Sequence, residues 1–289
     1  MAPRLTRPLE GKLAVVTGAF RGIGAAITKH LAAKGANVVG LYTSDSSSPA
    51  AQEGVKELGQ KHGVKIVAVK ADLGRPEEAA QELVKAAKAN FASSGGELLI
   101  NILVNNAGVG GDYPLGEVPI PEFHRIYSIN VLAPIVITQA VLPYLPHDRS
   151  GRIVNISSVA SAMGFKTHTL YGGTKAALEA MTRTWARELS ERATVNAVNP
   201  GPVEGDMYWA AGEEFWKQLD PFQQATPLSA VREGVDRPEL VQLANEKMGG
   251  RRPAYWSEVA AVVGMVCGED SAWCTGSVVC ANGGLRFSL

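Results

Sequence analysis

Short apolar runs rich in valine, isoleucine and leucine alternate along the chain with longer segments whose apolar residues recur at helical spacing. The short runs are nearly continuous, as strands buried on both faces of a sheet require. This alternation predicts right-handed βαβ units and therefore an α/β fold, a doubly wound parallel sheet of about seven strands. The predicted strands are residues 12–17, 37–42, 64–70, 98–105, 151–157, 194–198 and 276–280. The predicted helices are residues 22–34, 49–62, 75–91, two within 121–145, 171–190 and 255–266.

The chain length of 289 residues lies between the usual length of one domain and that of two. No low-complexity linker or internal repeat divides the chain, which predicts a single domain over residues 1–289. A long stretch between the sixth and the last predicted strand lacks the regular alternation. We expect residues 202–254 in this stretch to form a helical substrate lid, inserted before the last helix and strand.

The charge composition argues against several kinds of partner. The 28 basic and 28 acidic residues balance and no basic run is present, so neither nucleic acid nor an acidic membrane surface is an expected partner. Residues 126–146 contain no charged residue or histidine and are long enough to span a bilayer. Asn130, Gln139 and three prolines interrupt this run, which favours a packed interior or interface helix and no membrane insertion.

Three cysteines, Cys267, Cys274 and Cys280, lie late in the chain. Their odd number argues against a disulfide framework, and neither their spacing nor that of the histidines matches a metal site. We therefore expect no metal and a reducing compartment. The first residues contain no apolar signal-peptide core, so a cytoplasmic location is expected.

The glycine-rich sequence GAFRGIG at residues 18–24 follows the first predicted strand and opens the first helix. Gly18, Gly22 and Gly24 allow the backbone to turn tightly and approach a pyrophosphate, which then lies at the helix N-terminus. The glycine spacing is G-x3-G-x-G rather than G-x-G-x-x-G. Because a glycine-rich turn alone is a weak signal, an ordinary strand-to-helix turn is the alternative.

The end of the second predicted strand indicates which dinucleotide such a turn would bind. NAD sites usually have an acidic residue there to hold the ribose 2′-hydroxyl, but this strand ends at Tyr42 and Asp45 follows only three residues later. Arg21, Thr43 and Ser44 can instead hold a 2′-phosphate through charge-assisted hydrogen bonds. The sequence therefore predicts NADP(H) as the cofactor.

Tyr171 and Lys175 stand four positions apart on a predicted helix and therefore share one face. An ammonium group beside a phenol favours the phenolate, so we expect Lys175 to lower the pKa of Tyr171 and prepare it for proton exchange with a carbonyl or alcohol. The preceding strand ends at Ser157 and Ser158. Ligands bind outside the carboxyl ends of strands in open parallel sheets, so the pair would face the glycine-rich turn. By itself, Y-x-x-x-K is more often a surface pair.

Taken together and in order, these motifs resemble those of the short-chain dehydrogenase/reductase family over nearly the whole chain, in particular its NADPH-dependent ketoreductases of fungal type. The matching motifs are TGAFRGIG at 17–24, Asp72-Leu73, NNAG at 105–108, Asn130, NISS at 155–158, YGGTK at 171–175 and NPGPV at 199–203. The resemblance implies a Rossmann-type fold and NADPH-dependent reduction of a carbonyl by hydride transfer. It also implies a homo-oligomer, a dimer or tetramer that assembles through the helices near 126–145 and 171–190.

The resemblance further implies a role for each matching residue. Tyr171 would be the proton donor, Lys175 would hold the nicotinamide ribose, and Ser158 would hydrogen-bond the substrate carbonyl. Asn130 would support a water-linked proton relay to Lys175. With the residues derived above, the cofactor site would comprise Gly18, Arg21, Gly22, Ile23, Gly24, Thr43, Ser44, Asp72, Leu73, Asn105, Ala107, Gly108, Tyr171, Lys175, Pro200, Gly201 and Val203.

Two positions depart from the family pattern. Family members often have a threonine where this chain has Gly205, so a hydroxyl contact to the cofactor is in doubt. Near the C-terminus, Asn282 stands where an acidic residue usually precedes two glycines. We expect this second change to alter a structural hydrogen bond and not the chemistry.

The predicted lid is rich in aromatic residues, which suits a bulky carbonyl substrate, polycyclic or like a polyketide. The candidate substrate residues are Met207, Tyr208, Trp209, Phe215 and Trp216 on the lid, with Met163, Phe165 and His168 on the opposite wall. The alternative is that the aromatic residues pack the lid onto the core or against a second subunit. His168 is equally compatible with a solvated loop.

Other functions on this scaffold stay open from the sequence. The chain also resembles 3-oxoacyl carrier-protein reductases, although it lacks a clear basic patch for an acidic carrier. A cyclase or an epimerase could use the same pocket. A non-catalytic NADPH-binding sensor is disfavoured, because such proteins tend to lose the tyrosine or the lysine that this chain retains.

Overall fold

The structure is a computed structural model and describes residues 7–287. Its strands are β1 (Leu13–Thr17), β2 (Asn37–Tyr42), β3 (Ile66–Lys70), β4 (Ile102–Asn105), β5 (Gly151–Ile156), β6 (Ala193–Pro200) and β7 (Val278–Ala281). Its helices are α1 (Gly22–Ala33), α2 (Ser48–His62), α3 (Pro76–Phe91), α4 (Ile120–Tyr127), α5 (Ala133–Val141), α6 (Ala160–Met163), α7 (Thr169–Glu188), α8 (Asp206–Gln224), α9 (Pro238–Lys247) and α10 (Trp256–Val266). Short 3₁₀ turns connect several of these elements.

All seven strands lie parallel in one sheet, in the order β3-β2-β1-β4-β5-β6-β7. Helices cover both faces, which confirms the predicted doubly wound, Rossmann-type α/β sheet. The strand order reverses between β1 and β4, and ligands of such sheets bind beyond the carboxyl ends of the strands at this point. We therefore expect a ligand to bind beside the segments that follow β1, β4, β5 and β6.

The strands bury side chains on both faces, which explains their continuous apolar sequences. Ala14 and Val16 of β1 pack with α1, α2 and α10 in one core cluster. Val15, between them in sequence, packs with α3 and α5 in the cluster on the opposite face. Successive strand residues point to opposite faces, so a strand in the middle of this sheet has no solvent-facing side.

Most predicted elements agree with the structure, and the fourth strand is the clearest difference. Residues 98–105 are predicted as one strand, but only Ile102–Asn105 pairs with β1 and β5. Leu98 and Ile100 are nevertheless buried in the core. The apolar pattern of residues 98–105 thus predicted burial correctly, but fewer of these residues pair with neighbouring strands than predicted.

The apolar stretch after β4 forms a helical run from Ile120 to Tyr144, in which a π-helical turn, Ser128–Leu132, joins α4 to α5. By length and composition this run is long and apolar enough to cross a membrane. However, Ala133, Ile137 and Val141 on one side of it are buried against the sheet. This buried side agrees with the packed helix, interior or at an interface, that the sequence favours over a membrane span.

The segment predicted as a lid contains α8 and α9. Helix α8 is interrupted at Gly212, which has a φ of 72°. Tyr208, Leu219, Ala244 and Met248 form a small core between the two helices, separate from the two clusters that flank the sheet.

Candidate active site

The turn between β1 and α1 depends on its glycines. A Cβ atom on Gly24 would lie 1.9 Å from the carbonyl oxygen of Gly18, so no other residue fits at this position. Gly18 and Gly22 have φ angles of 64° and 52°, in the left-handed region that glycine tolerates. The first turn of α1 contains no acidic residue. The turn therefore presents unobstructed backbone N–H groups at a helix N-terminus, an arrangement that suits a pyrophosphate.

A hydrogen-bonded bridge fixes this turn to the segment that follows β4. The Thr17 hydroxyl accepts hydrogen bonds from the backbone N–H groups of Asn106 and Ala107, each at 3.0 Å. The Asn106 side chain donates back to the carbonyl oxygen of Thr17 at 2.9 Å. The bridge spans the point where the strand order reverses. Sequence reasoning missed Asn106, although it is the second asparagine of the quoted NNAG motif.

Asn105, predicted to line the cofactor site, directs its side chain elsewhere. Its amide donates to Asn155 at 2.9 Å and to Thr138 at 3.2 Å inside the protein. Its side chain thus joins β4 to β5 and α5. Only its backbone can contribute to the predicted cofactor site. Leu73 is also buried in the core, whereas Asp72 is exposed and accepts a hydrogen bond from Gly74 N.

The residues predicted to select NADP(H) are exposed around the end of β2. Arg21 stands immediately before α1, and Thr43 and Ser44 follow β2. Asp45, the one acidic side chain nearby in sequence, pairs with Lys70 at 2.6 Å. This ion pair leaves Asp45 poorly placed to hold a ribose hydroxyl, as the sequence register indicates.

The predicted catalytic residues come together where β5 ends and in the first turns of α7. The Lys175 ammonium donates to the carbonyl oxygen of Ile156 at 2.8 Å and lies 5.6 Å from the centre of the Tyr171 ring. Lys175 is only 3% exposed, and this burial lowers its pKa to about 8. A hydrogen bond connects Ser158 with Tyr171.

The expected direction of the Tyr171 pKa shift is wrong for this structure. Burial raises the pKa of Tyr171, and the hydrogen bond with Ser158 lowers it only in part. Lys175 does not reverse this shift, because its own charge is disfavoured by burial and its ammonium donates to Ile156. A raised pKa keeps the phenol protonated at neutral pH, which is the form that a proton donor needs.

Asn130 lies in the π-helical turn and is completely buried. Its side chain accepts from Val109 N at 2.9 Å and donates to Val109 O at 2.8 Å, so it pins the segment after β4. A Cβ on Gly108 would lie 3.3 Å from Lys175 Nζ and 3.4 Å from Asn130 Oδ1. A side chain at position 108 would therefore crowd both polar groups. π-Helical turns often occur at functional sites.

The segment after β6 closes the site from the other side. The Trp256 indole lies 3.0 Å from where a Cβ on Gly205 would be and donates to the carbonyl oxygen of Glu204. The indole thus occupies the surroundings of the missing threonine. The Glu204 carboxylate pairs with Arg237 and ties the start of the lid to the segment before α9. Pro200 ends β6, and Gly201 and Val203 lie between it and this contact.

The other departure, at Asn282, has a local structural role. The Asn282 side chain accepts from Gly284 N and donates to Arg286 O, each at 3.1 Å. These bonds hold the turn after β7, in agreement with the expected structural effect.

The predicted lid aromatics mostly contact one another. The Tyr208 and Trp216 rings stack at 5.8 Å, and Trp209 packs edge-on against both. Tyr208 is 5% exposed, and burial raises its pKa to about 12. Tyr208 therefore belongs to the small core of the predicted lid, where a substrate would not reach it, and the half-buried Trp216 packs on this core.

The remaining substrate candidates divide between the two walls. The His168 ring stacks on Phe215 at 6.1 Å and lies edge-on to Tyr171 at 5.9 Å. Phe165 packs against Phe222 at 5.5 Å and so joins the opposite wall to the lid. Met207 approaches the site, since a Cβ on Gly110 would contact both its thioether and the Tyr171 ring. Met163 ends α6 and is half-buried.

The buried Lys175 makes stability depend on pH. Its folded-state pKa of about 8 lies below the unfolded value of about 10.4, so the unfolded chain binds more protons between these pH values and stability rises with pH. Lys175→Met removes this titration. From pH 8 to pH 10, the free energy of unfolding of the wild type should increase relative to the variant by about 2–3 kcal/mol. Urea denaturation of both proteins across this range measures the difference, and a constant difference would contradict the buried ammonium.

Comparisons with known proteins agree with this geometry. Residues 12–215 match the short chain dehydrogenase family. L-Xylulose reductase of Aspergillus niger is 53% identical over 98% of this chain and 100% of its own length. L-xylo-3-hexulose reductase of Hypocrea jecorina is 52% identical over 99% of this chain and 100% of its own. The structure of angucycline C-6 ketoreductase LanV with bound NADP has a TM-score of 0.79 at 32% identity and covers 96% of both chains.

The chain therefore belongs to the short-chain dehydrogenase family, as the motifs indicate. It is an oxidoreductase, and its cofactor is NAD(P)H. The residues present fit that cofactor, because the turn has no room for a Cβ on Gly24 and because Gly18 and Gly22 adopt left-handed backbone angles, so the backbone can approach a pyrophosphate closely.

Proposed function

We propose that this protein is an NADPH-dependent reductase of open-chain ketoses, which reduces the carbonyl of a pentulose or hexulose to an alcohol. The two relatives at 52–53% identity match along their whole length and are named as reductases of such sugars. A ketose needs hydrogen-bonding groups near its carbonyl and little room for flat rings. The site offers Ser158, Tyr171 and His168 for this purpose.

The observation that carries this proposal is the packing of the lid aromatics. The Tyr208, Trp209 and Trp216 rings are engaged with one another, and Phe165 and Phe215 pack against Phe222 and His168. Tyr208 is buried and Trp216 stacks on it, so these two rings offer little free face to a polycyclic substrate, although Trp209 stays partly exposed. A small polar substrate fits a lid of this kind better than the bulky substrate expected from its composition.

The chemistry follows from the positions of the side chains. NADPH, when bound, supplies a hydride to the carbonyl carbon. Ser158 donates a hydrogen bond to the carbonyl oxygen, and Tyr171 donates its proton to the same oxygen as negative charge develops there. Lys175 and Asn130 then provide the route by which Tyr171 regains a proton. Each carbonyl thus receives one hydride and one proton and becomes a secondary alcohol.

The preference for NADPH over NADH is proposed to depend on Arg21, together with Thr43 and Ser44. Arg21→Ala removes a charge-assisted hydrogen bond to the 2′-phosphate, so the Kd for NADPH should rise roughly 10–100-fold while that for NADH stays unchanged. Isothermal titration with both cofactors measures this. The matched control is Arg187→Ala, because Arg187 is exposed at the far end of α7. An unchanged ratio of the two affinities in Arg21→Ala would remove the role of Arg21.

A bulky polycyclic or polyketide-like ketone is the second candidate substrate, since the structurally similar LanV is named an angucycline ketoreductase. The two candidates are separated by kcat/KM with NADPH for L-xylulose and for a bicyclic naphthalenone. We expect the ketose to be preferred by at least roughly 100-fold, because a site built for hydroxyl groups rejects analogues that lack them. Preference for the naphthalenone would overturn the ketose proposal.

We further propose that the protein is a homo-oligomer. The helical run 120–144 is apolar but only partly buried. Its side chains Leu132 and Phe123 are 42% and 38% exposed. An apolar face of this kind is usually covered in a soluble protein. Light scattering at micromolar concentration should give a dimer or tetramer, and a monomer would contradict this proposal.

A further inference from the structure

The carboxylate of Glu179 lies beside the catalytic serine and has no part in the chemistry described above. It stands one helical turn after Lys175 on α7. Its Oε1 atom accepts hydrogen bonds from Ser157 Oγ at 2.6 Å, Ser161 Oγ at 2.7 Å and Asn199 Nδ2 at 3.0 Å. These donors come from the end of β5, from α6 and from β6, so one oxygen atom joins three separate elements to α7.

The three donors surround the turn that carries Ser158. Ser157 precedes Ser158, and Ser161 follows it by three residues. Asn199 donates not only to Glu179 but also to the backbone carbonyl oxygen of Ser158, at 3.0 Å. The carboxylate oxygen therefore fixes both ends of this turn and, through Asn199, the backbone of Ser158 itself.

Backbone hydrogen bonds alone leave part of the turn free. Ser157 N donates to Val198 O at 2.8 Å and Val159 N donates to Pro200 O at 2.9 Å, which aligns the turn with β6. Neither bond fixes the turn relative to α7. Tyr171 and Lys175 are on α7, so the distance between Ser158 and Tyr171 depends on side-chain links between the turn and this helix. Ser157 Oγ reaches Lys175 O only at 3.3 Å, whereas its bond to Glu179 is 2.6 Å.

Glu179 makes no ion pair within residues 7–287. Lys175, one helical turn before Glu179 on α7, donates to Ile156 O instead. The carboxylate is therefore engaged by neutral donors of the catalytic turn.

We propose that Glu179 is a positioning residue for carbonyl reduction: its Oε1 atom ties the turn 157–161 to α7 and so sets Ser158 at hydrogen-bond distance from Tyr171. Glu179 acts through Ser158 and touches neither substrate nor cofactor. The proposal depends on the position of the acceptor atom and not on its charge.

Two conservative variants separate position from charge. Glu179→Gln keeps an oxygen acceptor at the same reach and loses the charge, whereas Glu179→Asp keeps the charge and withdraws the acceptor by one methylene. We expect Glu179→Gln to retain kcat within roughly threefold and Glu179→Asp to lower it roughly 10–100-fold, because misplacement by about 1 Å costs up to about 100-fold. The Kd for NADPH by isothermal titration should stay unchanged in both. Glu188→Gln and Glu188→Asp, at the exposed end of α7, are the matched controls.

Each variant is compared with the wild type on the ketone that the wild type reduces fastest, so the result does not depend on the proposed ketose. Retained kcat in Glu179→Asp would overturn the proposal, whatever Glu179→Gln shows. Loss of kcat in Glu179→Gln, with a shifted pH profile, would assign the effect to charge and also overturn it. A lower melting temperature with unchanged kcat in Glu179→Asp would reveal a structural role only.

Discussion

Tyr171→Phe should lower kcat for ketone reduction by about 10²–10⁴-fold, the contribution expected of a positioned general acid. Phenylalanine keeps the aromatic ring edge-on to His168 and removes only the hydroxyl that Ser158 contacts. The pKa of Tyr171 is raised by burial, so the phenol carries its proton at neutral pH. Lys175 is not placed to give its proton directly to the substrate in place of Tyr171, because its ammonium donates to Ile156 O.

Steady-state kinetics and isothermal titration together separate this effect from damage to the fold. The Kd for NADPH should stay near the wild-type value, since the hydroxyl is not the main contact of the cofactor. Tyr144→Phe, on the helical run that ends at Tyr144, is a control and should leave kcat unchanged. Turnover by Tyr171→Phe at more than a tenth of the wild-type rate would refute Tyr171 as the proton donor.

The second large effect is expected from Gly24→Ala. The new methyl carbon would lie 1.9 Å from the Gly18 carbonyl oxygen and 2.6 Å from the Asn106 amide, so the glycine-rich turn must open. Overpacking of this kind costs at least about 1–3 kcal/mol. Since we propose that the pyrophosphate lies at this turn, we expect the Kd for NADPH to rise at least roughly tenfold, with a lower melting temperature.

Gly116→Ala is the matched control, because a Cβ on Gly116 would meet no atom within 4 Å. Thermal denaturation and isothermal titration with NADPH should show little change in this variant. Wild-type affinity and stability in Gly24→Ala would contradict the close contact between Gly24 and Gly18, and with it the geometry of the phosphate-binding turn.

The sequence predicts the frame of the site well because the frame depends on local patterns. Continuous apolar strands require a sheet covered on both faces, and parallel strands bring their carboxyl ends to one edge. The turn at 18–24, Ser158 and Tyr171 must then meet at that edge, whatever the surrounding side chains are. The spacing of Tyr171 and Lys175 on a helix requires no tertiary information either.

The sequence does not predict which way a buried polar side chain points. Asn105 and Asn106 are adjacent, yet the first bonds to Asn155 inside the sheet and the second bonds to Thr17 across the strand reversal. Glu179 is one more acidic residue of a helix until the fold brings Ser161 and Asn199 to it. These networks form between elements distant in sequence, so neither periodicity nor a motif reveals them.

The lid shows that composition alone does not predict the substrate. Aromatic residues such as Tyr208 and Trp216 suggest a surface for flat rings, but they bury each other in the lid's small core. Burial reverses the sequence-based expectation for Tyr171 in a similar way. Its pKa is raised by desolvation, although the neighbouring lysine suggests that it should fall.

The most direct test of the account is transfer of the label from NADPH deuterated at the reactive C4 position to L-xylulose. If the protein moves a hydride to the ketose carbonyl while Tyr171 supplies the proton, the pentitol product carries one deuterium on the former carbonyl carbon. The Tyr171→Phe variant should form almost none of this product. Failure of the wild type to form a pentitol, or a pentitol without deuterium, would contradict the proposed function.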